Sequence, residues 1–348
     1  MNRWFSGIVG LTMLLTGCAT QNQENNSRLE LIKKRNELIC GVSGKIPGFS
    51  FLERDGSYQG LDVDICKAFA AAIIGDPKKI QYRPLTATER FTAIKTGEID
   101  LLSRNTTFTL SRDASGGNGL TFAPVVFHDG QGLMVKKGSG INSLKGLANK
   151  SICVGSGTTT EQNINDAFDS ASLPYTPIKY QDLNQVVAGY LQGRCSAMTS
   201  DRSQLAAAKS GFKNPKDHII LDDLLSKEPL APASDDQDEK LADAMRWIIF
   251  SLISAEEQGI TQANINEKVQ LAKKNPQLKP LRRFLGIDGG LGEKIGLNND
   301  FVVKVIRATG NYGEIYERHL GKNSEVSIPR GLNELYNKGG IHISPPFN

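Results

Sequence analysis

Short apolar runs alternate with amphipathic stretches along this chain, and the alternation occurs twice. Residues 38–42 form an apolar run of strand length, and 62–74 places Val63, Ile65, Cys66, Phe69, Ala72 and Ile73 at spacings that share one helix face. A strand at 80–85, a helix at 89–96 and a buried strand at 99–103 complete the first pass. The second runs strand 151–154, helix 161–170, strand 178–180, helix 183–191, strand 196–199, helix 202–209 and strand 219–221. Strands joined through helices are expected to lie parallel, linked by right-handed crossovers, in an open sheet covered on both faces. Two such units predict an α/β chain of two doubly wound sheets, and 348 residues suffice for two cores of ordinary size.

Residues 127–136 have the apolar positions to cross from the first unit to the second, and 224–233 to cross back. The predicted organisation is a leader over 1–17, a tether over 18–35, a first lobe built from 36–129 plus 230–348 with a C-terminal extension, and a second lobe over 130–229. Residues 238–275 read as strongly helical. The apolar group Trp247, Ile248, Ile249, Phe250, Leu252 and Ile253 in that stretch falls short of the roughly 20 residues that span a bilayer, which predicts a buried core helix. The Gly- and Pro-containing end, 333–348, is expected to wrap a surface.

At the N-terminus Arg3 precedes an apolar stretch over 8–15, the order of parts of a secretory signal. Leu15-Thr16-Gly17-Cys18 looks like a lipobox, in which Cys18 becomes the lipidated first residue of the mature protein. Asn and Gln crowd 19–27, a composition suited to a flexible tether. The expected location is periplasmic or at the cell surface, held to the membrane by lipid. With Cys18 given to lipid, Cys40, Cys66, Cys153 and Cys195 remain, an even number in an oxidising compartment. Two bridges are expected, with the pairing open; bridging within halves would leave the halves free to move. No CxxC or HxxxH spacing occurs, so neither a metal nor another cofactor is expected. The net charge is only +4 and no basic block interleaves with aromatics, which argues against nucleic acid as a partner.

Open α/β sheets bind ligands beyond the carboxyl ends of their strands. After 99–103 comes Arg104-Asn105-Thr106-Thr107-Phe108-Thr109-Leu110-Ser111-Arg112-Asp113. The guanidinium fork of Arg112 suits a carboxylate, with Asn105 and Thr107 adding neutral hydrogen bonds; in a plain surface loop, Arg112 would pair with Asp113. After 151–154, Gly155-Ser156-Gly157-Thr158-Thr159-Thr160-Glu161 leads into a helix whose exposed N–H groups and positive dipole end favour an anion. Thr158 with Glu161 also spells a capping box, which needs no ligand. The glycine spacing fits neither a P-loop nor a nucleophile elbow. Asp201, at a helix start, suits an ammonium or serves as a cap. Together these groups complement a zwitterion, the part shared by all free α-amino acids. They come from both halves, so closure about a hinge would bury each contact.

Several short segments, in order along nearly the whole mature chain, resemble the periplasmic amino-acid-binding proteins of ABC importers, and nearest the general L-amino-acid-binding branch. They are Tyr58-Gln59-Gly60-Leu61-Asp62-Val63-Asp64, Glu89-Arg90-Phe91, Leu102-Ser103-Arg104-Asn105-Thr106-Thr107, Asp129-Gly130-Gln131-Gly132, Gly157-Thr158-Thr159-Thr160-Glu161, Ser226-Lys227-Glu228-Pro229 and Gly310-Asn311-Tyr312-Gly313-Glu314. The resemblance implies a two-lobed periplasmic-binding-protein fold with a hinge of two crossings. It implies that Arg112 holds the α-carboxylate with Thr107 and the turn at Thr158 and Thr159, and that Asp201 holds the ammonium with Asn105. It also implies bridges Cys40–Cys66 and Cys153–Cys195, and as partners a free L-amino acid and the membrane permease of an ABC importer, with the receptor a monomer. The chain departs from the family pattern at His128, where a tyrosine is expected, and over Leu230-Ala231-Pro232-Ala233-Ser234-Asp235, where Gly-Pro and an arginine are expected. An enzyme on the same fold, a dehydratase or cell-wall lyase, would need a general acid or base beside the clamp, and no such pairing is evident. His128, near the hinge, is the one candidate, and packing there needs no catalysis. The expectation is a binder, not an enzyme, with no residue assigned to the ligand's side chain.

Overall fold

The structure, a computed structural model, describes residues 27–348; the leader and Cys18 lie outside the described residues. Two five-stranded sheets form the two lobes. The first has the order Ile80–Pro84, Leu38–Val42, Leu101–Leu102, Ala233–Asp235, Leu120–Phe122. The second has the order Thr176–Tyr180, Ser151–Gly155, Ala197–Asp201, Gln131–Lys136, His218–Ile220. In both, the first three strands run parallel.

The strands joined through helices lie parallel as expected, and each sheet also takes in a crossing segment as its fourth strand, antiparallel to both its neighbours. The reason is topological. Gln131–Lys136 and Ala233–Asp235 are the segments arriving from the other lobe, so they enter their sheets from the cleft end, against the direction of the strands that helices bring back. The crossings also pair with each other: Glu228–Leu230 lies antiparallel to Phe127–Asp129, with Glu228 opposite Asp129 and Pro229 opposite His128. This two-stranded ribbon is where the chain passes between the lobes, as expected of a two-crossing hinge.

Helix Leu61–Ile73 is buried almost all round, because the sheet covers one side while Phe301–Thr309 and Glu239–Glu257 cover the other. The helical stretch expected over 238–275 divides into Glu239–Glu257 and Ile265–Lys274. Gly259, at φ 62°, takes the left-handed conformation that ends the first of them. A small antiparallel sheet of Lys45–Ile46, Ser50–Leu52 and Tyr58–Gln59 was not legible, since strands of two or three residues carry no periodicity. The C-terminal segment does more than wrap a surface: Asn333, Leu335 and His342 are buried. Asn333 grips the first crossing, its Oδ1 accepting from the His128 N–H at 2.6 Å and its Nδ2 donating to the His128 carbonyl at 3.2 Å. Bridges Cys40–Cys66 and Cys153–Cys195 each tie a central strand to a helix or loop of its own lobe.

Candidate functional site

A cavity of about 300 Å³ lies between the lobes, at the small end of the range for ligand pockets. Asn105 and Thr107 line it from the first lobe, Thr158, Thr159 and Asp201 from the second. These are the carboxyl ends of Leu101–Leu102, Ser151–Gly155 and Ala197–Asp201, where an open sheet leaves its last N–H and C=O groups facing a crevice. Arg112 is not on the wall. It is buried behind it, donating from Nη1 to the Thr107 carbonyl at 2.8 Å and lying over the Phe91 ring. Neither a pairing with Asp113 nor an exposed loop describes it.

Asn105 is the least explained group in the site. Its backbone sits at φ 39°, and its side-chain N and O are both buried without a hydrogen-bond partner. Buried amides are rarely left so. Across the cavity Asp201 stands at the start of helix Arg202–Ser210, yet its carboxylate makes no capping bond; it accepts from Gln204 Nε2 at 2.9 Å. Burial pushes the Asp201 carboxyl well above the usual range, reinforced by the charges of Asp129 and Glu228 and opposed by Arg112 and Arg90. Asp129 is raised in the same way, by burial first, to about 6. The site thus concentrates carboxylates whose ionisation a cationic group would favour.

The turn into helix Thr159–Ser170 realises the capping box in part: the Thr158 hydroxyl accepts from the Glu161 N–H at 3.1 Å, and the Glu161 carboxylate accepts from the Gly157 N–H at 2.9 Å. The hydroxyls of Thr107 and Thr159 donate to Glu228 Oε2 at 2.6 and 2.8 Å. With their protons so committed they present lone pairs toward the cavity, which suits an N–H donor. A carboxylate is better served by the first N–H groups of the helix.

Sequence reasoning missed four groups here. Arg90 lines the cavity while buried, with its Nε unpartnered and Nη1 only 3.4 Å from Thr106 Oγ1. Arg104 also lines the wall, anchored by Nε to the Leu85 carbonyl at 2.8 Å. Lys45 and Asp182 meet across the cleft at 2.9 Å. For Arg104 the signal was its place just past the strand end Leu101–Leu102; Arg90 opens helix Arg90–Lys95, six residues beyond Ile80–Pro84, and position alone did not nominate it. His128 does not line the cavity; it packs against His342 with ring centroids 5.0 Å apart. Among the described residues, no group of three or more His, Cys, Asp or Glu is placed to hold a metal ion, and no helix is long and apolar enough to cross a membrane.

Residues 38–284 match the bacterial extracellular solute-binding proteins, family 3. Over 347 residues the chain is 44% identical to the general L-amino acid-binding periplasmic protein AapJ of Rhizobium johnstonii, with 99% of each chain covered. It is 43% identical over 343 residues to the glutamate/glutamine/aspartate/asparagine-binding protein BztA of Rhodobacter capsulatus, covering 99% of this chain and 98% of that one. A solved ABC transporter periplasmic binding protein from Brucella ovis, with glutathione bound, superposes with a TM-score of 0.87 at 43% identity, covering 92% of this chain and 99% of the other. With the family matched across most of its length and relatives aligned nearly end to end, the chain belongs to the bacterial extracellular solute-binding proteins, family 3.

Proposed function

We propose that this protein captures a free α-amino acid between its lobes and delivers it to the permease of an ABC importer. The observation that carries this reading is the pair formed by Asn105, a buried amide with no partner, and Asp201, a buried carboxylate with no cap to make, both lining one cavity. An ammonium between them satisfies the amide oxygen and stabilises the carboxylate. The ligand carboxylate then faces the N-terminal end of helix Thr159–Ser170 in the positive field of Arg112 and Arg90, with Arg112 reaching it directly after a side-chain rotation. Proteins aligned nearly end to end with this chain carry amino-acid-binding names, which agrees with the zwitterion clamp. The cations Arg90 and Arg104 on the wall favour side chains ending in a carboxylate or amide. A binder rather than an enzyme agrees with the names of those relatives, which are binding proteins.

Titration calorimetry of the mature protein against the common amino acids tests the proposal. Wild type is expected to bind several, and Arg112→Ala or Asp201→Asn to lose about 100-fold or more for all of them, because a buried charge left unpaired costs about 3 to 5 kcal/mol. Silence of the wild type across the panel, or unchanged affinity in both variants, overturns it. The membrane anchor is proposed to be lipid on Cys18, two or more chains being needed for stable attachment. Cys18→Ser should then move the protein from the membrane to the soluble fraction; retention on the membrane argues for another anchor. The receptor is proposed to act as a monomer, with light scattering of the mature protein as the check; a stable dimer would refute it.

A further inference from the structure

Glu228 is not on the cavity wall, and it is 1% exposed. It opens the return crossing Glu228–Leu230. Its Oε2 accepts from Thr107 Oγ1 at 2.6 Å and from Thr159 Oγ1 at 2.8 Å; its Oε1 accepts from Ser226 Oγ at 2.5 Å and from Asn163 Nδ2 at 2.7 Å. These four donors belong to bodies that separate when a hinged receptor opens. Thr107 is fixed to the crossing itself: it bridges Leu230, and the Phe108 N–H donates to the Pro229 carbonyl at 2.8 Å. Thr159 and Asn163 ride on the second lobe's helix Thr159–Ser170.

We propose that Glu228 is an interlobe clasp, a positioning residue that sets the balance between open and closed forms and thereby scales affinity for every ligand of the cavity. The effect on affinity rests on the receptor reading above; the effect on closure does not. Three of the four partners are hydroxyls and the fourth is an amide N–H₂, and a carboxylate can accept from all four at once, two on each oxygen. Hydrogen bonds to such a charge are about twice as strong as neutral ones. When the second lobe swings away, Thr159 and Asn163 leave with it, and the buried carboxylate loses the donors they supply. The clasp therefore favours closure, and because only the closed form completes the site, apparent affinity scales with the closed fraction for all ligands alike.

Glu228→Gln is the sharp test, since it keeps the shape but removes the charge and replaces one accepting oxygen with an N–H₂, so that two of the four donors lose their acceptor. With spin labels at Asp55→Cys and Gln192→Cys, both exposed and on opposite lobes, interlobe distances in ligand-free protein should shift toward the open form by about 10-fold in population. Affinities across the amino-acid panel should fall by about the same factor, with the order of preference kept. Asn163→Ala removes one lobe-two donor without touching the carboxylate, and should move both readouts the same way by less, which keeps the test available if Glu228→Gln folds poorly. An unchanged distance distribution, or a loss confined to some ligands, overturns the clasp. If wild type binds no amino acid while Glu228→Gln still opens the lobes, the receptor reading fails and the clasp stands.

Discussion

The two lobes repeat one topology but are insulated unequally. In the first, a continuous apolar cluster runs beneath Leu61–Ile73, Glu239–Glu257, Phe301–Thr309 and Tyr312–His319, and takes in Phe69, Ile306 and Tyr316. A second, smaller cluster of that lobe gathers around Leu102 and Phe122, whereas both clusters of the second lobe, around Phe168 and around Tyr190, are small. Of these helices, Phe301–Thr309 and Tyr312–His319 come from sequence beyond residue 284, past the end of the family match. The same extension grips the crossing at His128 through Asn333, and the Tyr312 hydroxyl donates to the Val126 carbonyl at 2.7 Å. One lobe thus carries both the larger core and the grip on the crossing, and the other carries neither. Local opening is easiest where buried apolar contacts are fewest, so the second lobe should gain most from being closed over a ligand.

Matched truncations break or sharpen that contrast. Phe168 and Phe69 are both fully buried, and Phe→Ala in such positions costs about 4 kcal/mol. In Phe168→Ala, amide exchange should accelerate through the second lobe while the first keeps its protection. In Phe69→Ala the loss should appear in global unfolding, because the first lobe's cluster is continuous. Equal acceleration of both lobes in Phe168→Ala would mean that the molecule unfolds as one unit and that the core sizes do not matter.

The contrast was half legible beforehand. The two rounds of strand and helix stood out because each apolar run is long enough for its period to show, as in 62–74. The reversed fourth strands were hidden, since the sequence of Gln131–Lys136 is apolar whichever way it points. The site divides in the same way. Asn105, Thr107, Thr158, Thr159 and Asp201 are chain neighbours of strand ends, so position alone nominated them, and they do line one cavity. That Arg112 stands behind the wall and Arg90 on it depends on side-chain direction, which spacing does not carry. Glu228 gathers donors from positions 107 and 159, contacts that exist only after two lobes have met.

Asp62 offers a smaller test on the first lobe alone. It lies in the first turn of Leu61–Ile73, where an acid is favoured by the helix dipole. Burial nevertheless outweighs the Asn105 backbone N–H, the Arg104 charge and Ser103, pushing the carboxyl from 3.8 up to about 7, and its Oδ2 has no hydrogen-bond partner. The native state therefore keeps a proton that the unfolded chain has lost between about pH 4 and pH 7, so this group's contribution to stability falls as pH rises through that window. At pH 6 the loss relative to pH 3 is about 3 kcal/mol, from roughly two units of difference at 1.36 kcal/mol each. Asp62→Asn carries no such charge. Urea unfolding of the two proteins should give similar stabilities near pH 4 and a variant increasingly more stable than wild type toward pH 7. A difference that does not change with pH would show that Asp62 is ionised in the folded lobe, through solvent access that its burial does not indicate. The same series on Asp129, which is raised to about 6 beside the second lobe's clamp, should respond to added ligand more strongly than that on Asp62, because the charge of Asp129 acts on Asp201.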